Sequence, residues 1–158
     1  MPRNLDPDTI GFLVTDLARL VRSEMDRRIN EAGLGLTPSE ARTLIHAERA
    51  GAARQNVLAE RMGVEAMTLS GSLDRLEAQD LIERLPDPTD RRAKLVHLTA
   101  KANALLDRIE PISASLRVDA SRGLAPEVWA QFLQHLKLVR ANLHDAKAAS
   151  AQKEGAAS

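Results

Sequence analysis

The chain has 158 residues, enough for one domain with a real core, and its 22 basic residues balance its 22 acidic ones. It has no cysteine, which excludes disulfides, thiolate metal sites and a thiol redox switch. With one Trp, two Phe and no Tyr it lacks the aromatic faces on which single-stranded nucleic acids stack, so its core must be built from Leu, Ala, Val and Ile.

The polar opening "MPRNLDPDTIG" does not read as a signal peptide, and no run reaches the apolar length of a membrane span. The expectation is a soluble, cytoplasmic protein with no membrane partner. Residues 9–32 read as an amphipathic helix, with Ile10, Leu13, Val14, Leu17, Leu20 and Val21 at three- and four-residue steps and Asp8 as its cap. "GLG" stops it at 33–35. A second helix opens at "TPSE", where Thr37 can cap, Pro38 suits the first helical position and Glu40 completes a capping box. It runs to about Ala50.

A short helix, "QNVLAERM" at 55–62, ends at Gly63, and a longer one, "EAMTLSGSLDRLEAQ" at 65–79, follows. Met67, Leu69, Leu73 and Leu76 form its apolar stripe, and Gly71 inside it costs about 1 kcal/mol against Ala. Two short strands, "LIERL" and "KLVHL", flank "PDPTDRRA" as a hairpin. Thr99 caps a long helix that contains Pro111 and reaches about Arg122. After "GLAPE" a last helix carries Trp129, Phe132, Leu133, Leu136, Val139 and Leu143 at helical spacing, the two aromatics read as packing. From about Ala146 the small, polar tail is expected to fray.

A short helix, a tight turn at Gly63 and Val64 and a longer helix make a helix-turn-helix, and the hairpin behind it makes a winged helix. "LAERMGV" (58–64), "SLDRLEAQDLIER" (72–84), "PDPTDRRAK" (86–94) and "LT" (98–99) resemble the MarR family of winged helix-turn-helix transcription regulators. The wording "MTL…LDRLE" is similar to the SlyA-like branch. The likeness covers roughly residues 36–123, and its specific part is Asp-x-Arg followed by an apolar strand and Leu-Thr.

The resemblance implies a mainly α, single MarR-type domain over 1–158. Within it, 36–98 would be the winged helix-turn-helix DNA-binding part, 8–34 and 99–146 the dimerisation helices, and 147–158 a flexible tail. It implies a homodimeric, sequence-specific regulator, a repressor, on a pseudo-palindromic double-stranded operator, released by a small anionic aromatic effector. Leu17, Ile45 and His46 are candidates for lining the effector pocket. No enzyme activity, cofactor or metal is expected. The histidines at 46, 97, 135 and 144 lack ligand spacing, and nothing resembles a nucleophile elbow or a phosphate loop.

Physical reasons for several positions stand beside the resemblance. Arg92 at a hairpin tip can enter the narrow minor groove, where the potential attracts guanidinium groups. Asp90 is badly placed to touch phosphate and is better read as orienting Arg92 through a charge-assisted hydrogen bond. Arg91 and Lys94 are then phosphate contacts. On the longer helix Thr68, Ser70, Gly71, Ser72 and Arg75 lie off the apolar stripe. The hydroxyls can meet phosphates or bases, and Arg75 can pair with guanine or phosphate.

The sequence departs from the family in three places. Many relatives carry a basic residue where this chain has Ala66 or Gly71. Asp80 stands where glycine is common, though Asp adopts the left-handed turn. Arg54 replaces a capping hydroxyl and reaches either phosphate or water. From Arg54 to Lys94 seven basic residues face eight acidic ones, and Arg61 and Arg84 read as solvated surface. A winged-helix protein-interaction module without DNA binding is therefore the alternative. Met25 and Ile29 extend the first helix's stripe, and the last helix has one of its own; a second copy of the chain is the simplest cover.

Overall fold

The computed structural model describes Asp6 and residues 8–156, and the chain divides between Leu116 and Arg117 into two compact units. The first holds α1 (Ile10–Ala32), α2 (Pro38–Ala50), β1 (Ala53–Arg54), α3 (Gln55–Met62), α4 (Ala66–Ala78), β2 (Ile82–Asp87), β3 (Asp90–Leu98) and most of α5 (Ala100–Ala120). The second holds the end of α5 and α6 (Pro126–Ala156). The mainly helical winged helix read from the sequence is the architecture observed.

Local chemistry sets the boundaries that position the site. At the start of α2, Glu40 N–H donates to Thr37 Oγ1 at 3.2 Å and Thr37 N–H donates back to the Glu40 carboxylate at 2.9 Å, with Pro38 in the first turn. α3 closes at Gly63 in the left-handed region (φ 64°), where Val64 N–H reaches the Ala59 carbonyl at 3.1 Å and turns the chain into α4. After α4, Asp80 (φ 57°) is the single non-glycine with positive φ among the described residues, as its short polar side chain permits. Thr99 accepts from Ala102 N–H at 3.2 Å and donates to the Asp80 carbonyl at 2.8 Å, so the start of α5 is stitched to the end of α4.

The core lies inside this first unit. Leu44 of α2, Leu58 of α3, Leu69, Leu73 and Leu76 of α4, Leu81, Ile82 and Val96 of the hairpin, and Leu106 and Ile109 of α5 are buried together with Ile29 at the end of α1. Each fully buried aliphatic side chain contributes about 1.5–3 kcal/mol. The first half of α1 takes no part: Ile10, Leu13, Val14, Leu17, Leu20 and Val21 are 41–60% exposed. In the second unit the rings of Trp129 and Phe132 lie 5.5 Å apart, and Leu133, Leu138 and Leu143 are exposed.

Five expectations need correction. The sheet has three antiparallel strands in the order β1-β3-β2, not two; β1 is two residues long, too short for an alternating pattern to show. The hairpin strands run further than "LIERL" and "KLVHL", to Asp87 and from Asp90, because Pro86 is tolerated in β2 at the sheet edge. Arg91 and Arg92 thus lie in β3 beside a Pro88-Thr89 turn rather than at the tip. Thr9, not Asp8, occupies the cap position of α1, without a side-chain bond. Finally, α6 continues to Ala156 through the segment expected to fray, whose alanines are the best helix formers. Residues 157–158 of that tail, and 1–5 and 7 of the polar opening, lie outside the described residues.

Candidate nucleic-acid interface

α3, the Gly63 turn and α4 form the helix-turn-helix, and the face of α4 follows from its buried stripe. Leu69, Ser72, Leu73 and Leu76 point inward at three- and four-residue steps. Ser72 is therefore corrected from contact residue to buried residue; its Oγ lies 3.4 Å from Ser39 Oγ. Met67 is corrected the other way. It lies two residues, about 200° of helix, before Leu69, and is 87% exposed. Thr68 is exposed and Ser70 half-buried. Arg75 is tethered at its root: Nε donates to Glu40 Oε1 at 3.0 Å and Nη2 to Ser72 Oγ at 3.3 Å.

The wing is organised by carboxylates. Asp87 Oδ1 accepts from Thr89 N–H at 2.8 Å and Thr89 Oγ1 at 2.7 Å, while Oδ2 accepts from Arg54 Nε at 2.7 Å. The Thr89 main-chain bond, the Thr89 hydroxyl and then Arg54 hold the Asp87 carboxyl at about 2, below the ordinary carboxylate range. Arg54 Nη1 also reaches Asp90 Oδ2 at 3.5 Å. Arg54 is thus neither a solvated arginine nor one aimed outward; it clamps β1 to both ends of the wing turn.

The expected link between Asp90 and Arg92 exists in altered form. Asp90 Oδ1 accepts the Arg92 main-chain N–H at 3.0 Å, so the carboxylate orients the backbone of Arg92 and its other oxygen serves Arg54. The pairing Pro86↔Lys94 jumps to Asp87↔Asp90, leaving Arg91, Arg92 and Ala93 in a bulge. A bulge bends the strand and re-aims its side chains, and Arg91, Arg92 and Lys94 are all exposed.

Arg84, expected as solvated surface, is mostly buried and joins β2 to α4 through Asp74 and Glu77. With Arg54 and Lys94 it lines a cleft of about 370 Å³ at the base of the wing.

This geometry resolves the charge count. Asp87, Asp90, Asp74 and Glu77 are engaged with Thr89, Arg54, Arg92 N–H or Arg84, while Arg91, Arg92 and Lys94 stand outward. A formally acidic segment presents a basic edge. Glu40 in its capping box and Asp87 in the wing turn stand as read from the sequence; what sequence reading missed was the pairing of Arg54 with Asp87 and of Arg75 with Glu40, and the exposure of Met67. Only Met67 left a local signal, its offset from the stripe.

The effector-pocket candidates are less concentrated. Leu17 is 43% exposed on α1, Ile45 packs partly against the core, and His46 is half-buried. Burial, followed by Arg49, Arg42 and Arg22, pushes the His46 pKa down. A groove of about 640 Å³ runs along α1 beside Val14, Ala18, Arg19, Arg22 and Asp26, and none of the three candidates lines it. Among the described residues no group of His, Asp or Glu side chains could hold a metal ion, and no helix is long and apolar enough to cross a membrane.

Residues 34–93 match the model of the MarR family. Among solved structures, the transcriptional regulator PA3341 is 37% identical over 87% of this chain and 99% of its own, with a TM-score of 0.72. A MarR-family transcriptional regulator from Rhodococcus sp. RHA1 is 26% identical over 86% of this chain and 95% of its own, with a TM-score of 0.72. BpsR of Bordetella bronchiseptica, whose DNA binding is regulated by 6-hydroxynicotinic acid, shares the fold at 22% identity and a TM-score of 0.69 over 86% of this chain and 96% of its own. With its helix-turn-helix, bulged wing and these relatives, the chain belongs to the MarR family of transcriptional regulators.

Proposed function

We propose that the chain is a cytoplasmic, non-enzymatic repressor that binds a pseudo-palindromic double-stranded operator as a homodimer and is released by a small anionic aromatic effector. The observation that carries this reading is the wing, where buried or engaged carboxylates hold the scaffold while Arg91, Arg92 and Lys94 stand outward. Arg92 enters the minor groove, Arg91 and Lys94 meet phosphates, and the start of α4 with Thr68 and Ser70 enters the major groove, where Arg75 reaches back from the last turn. Arg54, Asp90 and Ser72 act as scaffold, and Gly71 supplies close approach.

Residues 36–98 form the DNA-binding part in this reading, and 8–34 with 99–146 the dimerisation helices. The exposed apolar residues of α1 support a second copy as their cover. Arg19 and Arg22 along the α1 groove, with Arg22 also acting on His46, favour an anionic effector near Leu17, Ile45 and His46. The regulation of BpsR by 6-hydroxynicotinic acid supports the same class of ligand.

Selection from a random duplex library tests the reading. Enrichment of an inverted repeat with half-sites about one helical turn apart is expected. Failure to enrich any duplex, alongside stoichiometric capture of a protein partner, would favour an interaction module instead.

A further inference from the structure

We infer that Glu40, at the start of α2, is a positioning residue that holds Arg75 across Gly71 as the guanine-reading group of the recognition helix. The inference rests on the DNA-binding reading above and adds how α4, with its weakly basic face, discriminates between bases.

The Glu40 side chain is only 5% exposed, and a carboxylate in that position needs both oxygens satisfied. One oxygen accepts from Thr37 N–H at 2.9 Å, and the other accepts from Arg75 Nε at 3.0 Å. The arginine it holds is not buried with it: the Arg75 side chain is 57% exposed. Helical side chains lean over the preceding turn, and Arg75 does so. A β-carbon placed on Gly71 would sit 3.6 Å from Arg75 Nη1. The guanidinium therefore covers the patch of α4 that a long side chain at 71 would fill.

A second tie on Arg75, from Nη2 to the buried Ser72 Oγ at 3.3 Å, limits rotation of the plane. Anchored through Nε and one N–H of Nη2, the guanidinium still has an N–H on each terminal nitrogen for a planar acceptor pair. In the major groove that pair is guanine O6 and N7. Holding the fork in place beforehand reduces the side-chain entropy lost on binding. A phosphate contact would position the chain without reading sequence, whereas an aimed fork can discriminate between bases.

The test compares binding to a duplex selected by the wild-type chain from a random library with binding to a scrambled duplex of equal length, by anisotropy at fixed salt, with thermal melting alongside. Arg75→Ala and Glu40→Gln are each expected to lower the selected-to-scrambled affinity ratio about tenfold. The double variant should lose no more than Arg75→Ala alone. Thr37→Ala removes the helix cap but not the tether, so it should lower Tm and leave the ratio unmoved. Gly71→Leu should displace the guanidinium and match Arg75→Ala. Repeating the selection with folded Glu40→Gln should lose a guanine preference at one position per half-site.

An unchanged ratio in Arg75→Ala, or equal losses on both duplexes, would overturn the inference while leaving DNA binding intact. If the wild-type chain enriches no duplex, the DNA-binding reading itself falls and this inference with it.

Discussion

The recognition helix and the wing present arginines from opposite kinds of support. α4 is held by burial, with Leu69, Leu73 and Leu76 sealed in the core. The wing turn is held by polar contacts among Asp87, Thr89, Arg54, Asp90 and the Arg92 main chain, while Leu85 beside it is 45% exposed. Apolar burial does not titrate and is only weakly sensitive to salt, whereas carboxylate hydrogen bonds respond to protonation. The helix should therefore keep its place under conditions that loosen the wing.

Stability gives the largest contrast. Leu73→Ala should cost about 2–5 kcal/mol in denaturant unfolding, since it empties a filled site. Leu85→Ala should cost less than about 1 kcal/mol; equal costs would erase the distinction between the two supports. On DNA, Arg92→Ala should weaken binding about ten- to hundredfold and make the salt dependence shallower by about one unit. Stability should be nearly unchanged, because the contacts that define the wing turn use the Arg92 main chain.

The third contrast is in pH. Asp87 is held at about 2, below its unfolded value, so its contribution is complete above about pH 4 and disappears as pH falls toward 2. The Tm difference between wild type and Asp87→Asn should accordingly shrink over that interval, with the Thr89 amide resonance moving alongside. A difference that persists unchanged at pH 2 would mean that Asp87 does not act as a carboxylate. The smallest effect is expected for Met67→Ala, whose exposure predicts a change in unfolding within about 0.5 kcal/mol.

Elements whose signals are local were legible in the sequence. The short helix expected at about 55–62 is α3 (Gln55–Met62), and the Thr37 and Glu40 capping box appears with both of its bonds. The turn at Gly63 and Val64 is where the sequence reading puts it, and Asp80 adopts the left-handed conformation expected of it. Relations that join distant segments were not legible. Arg54 and Asp87 meet across 33 residues, and Arg75 and Glu40 across 35. A charged residue in a sequence shows its sign but not which oxygen it will meet. The acidic count in 54–94 misled for that reason, since it treated engaged carboxylates as free ones. Met67 was misplaced because apolarity was taken for burial, although its two-residue offset from Leu69 puts it on the other face.

The central claim is that α4 reads the major groove while the wing reaches the flanking minor groove. The chain contains no cysteine, so a single thiol can be introduced and tethered to an iron chelate that cleaves nearby DNA. With Met67→Cys and Pro88→Cys loaded separately on the selected duplex, the wing-tethered cuts are expected to flank the helix-tethered cuts outward in both half-sites. Coincident cuts, or cleavage no different from that of the untethered chelate, would contradict the account.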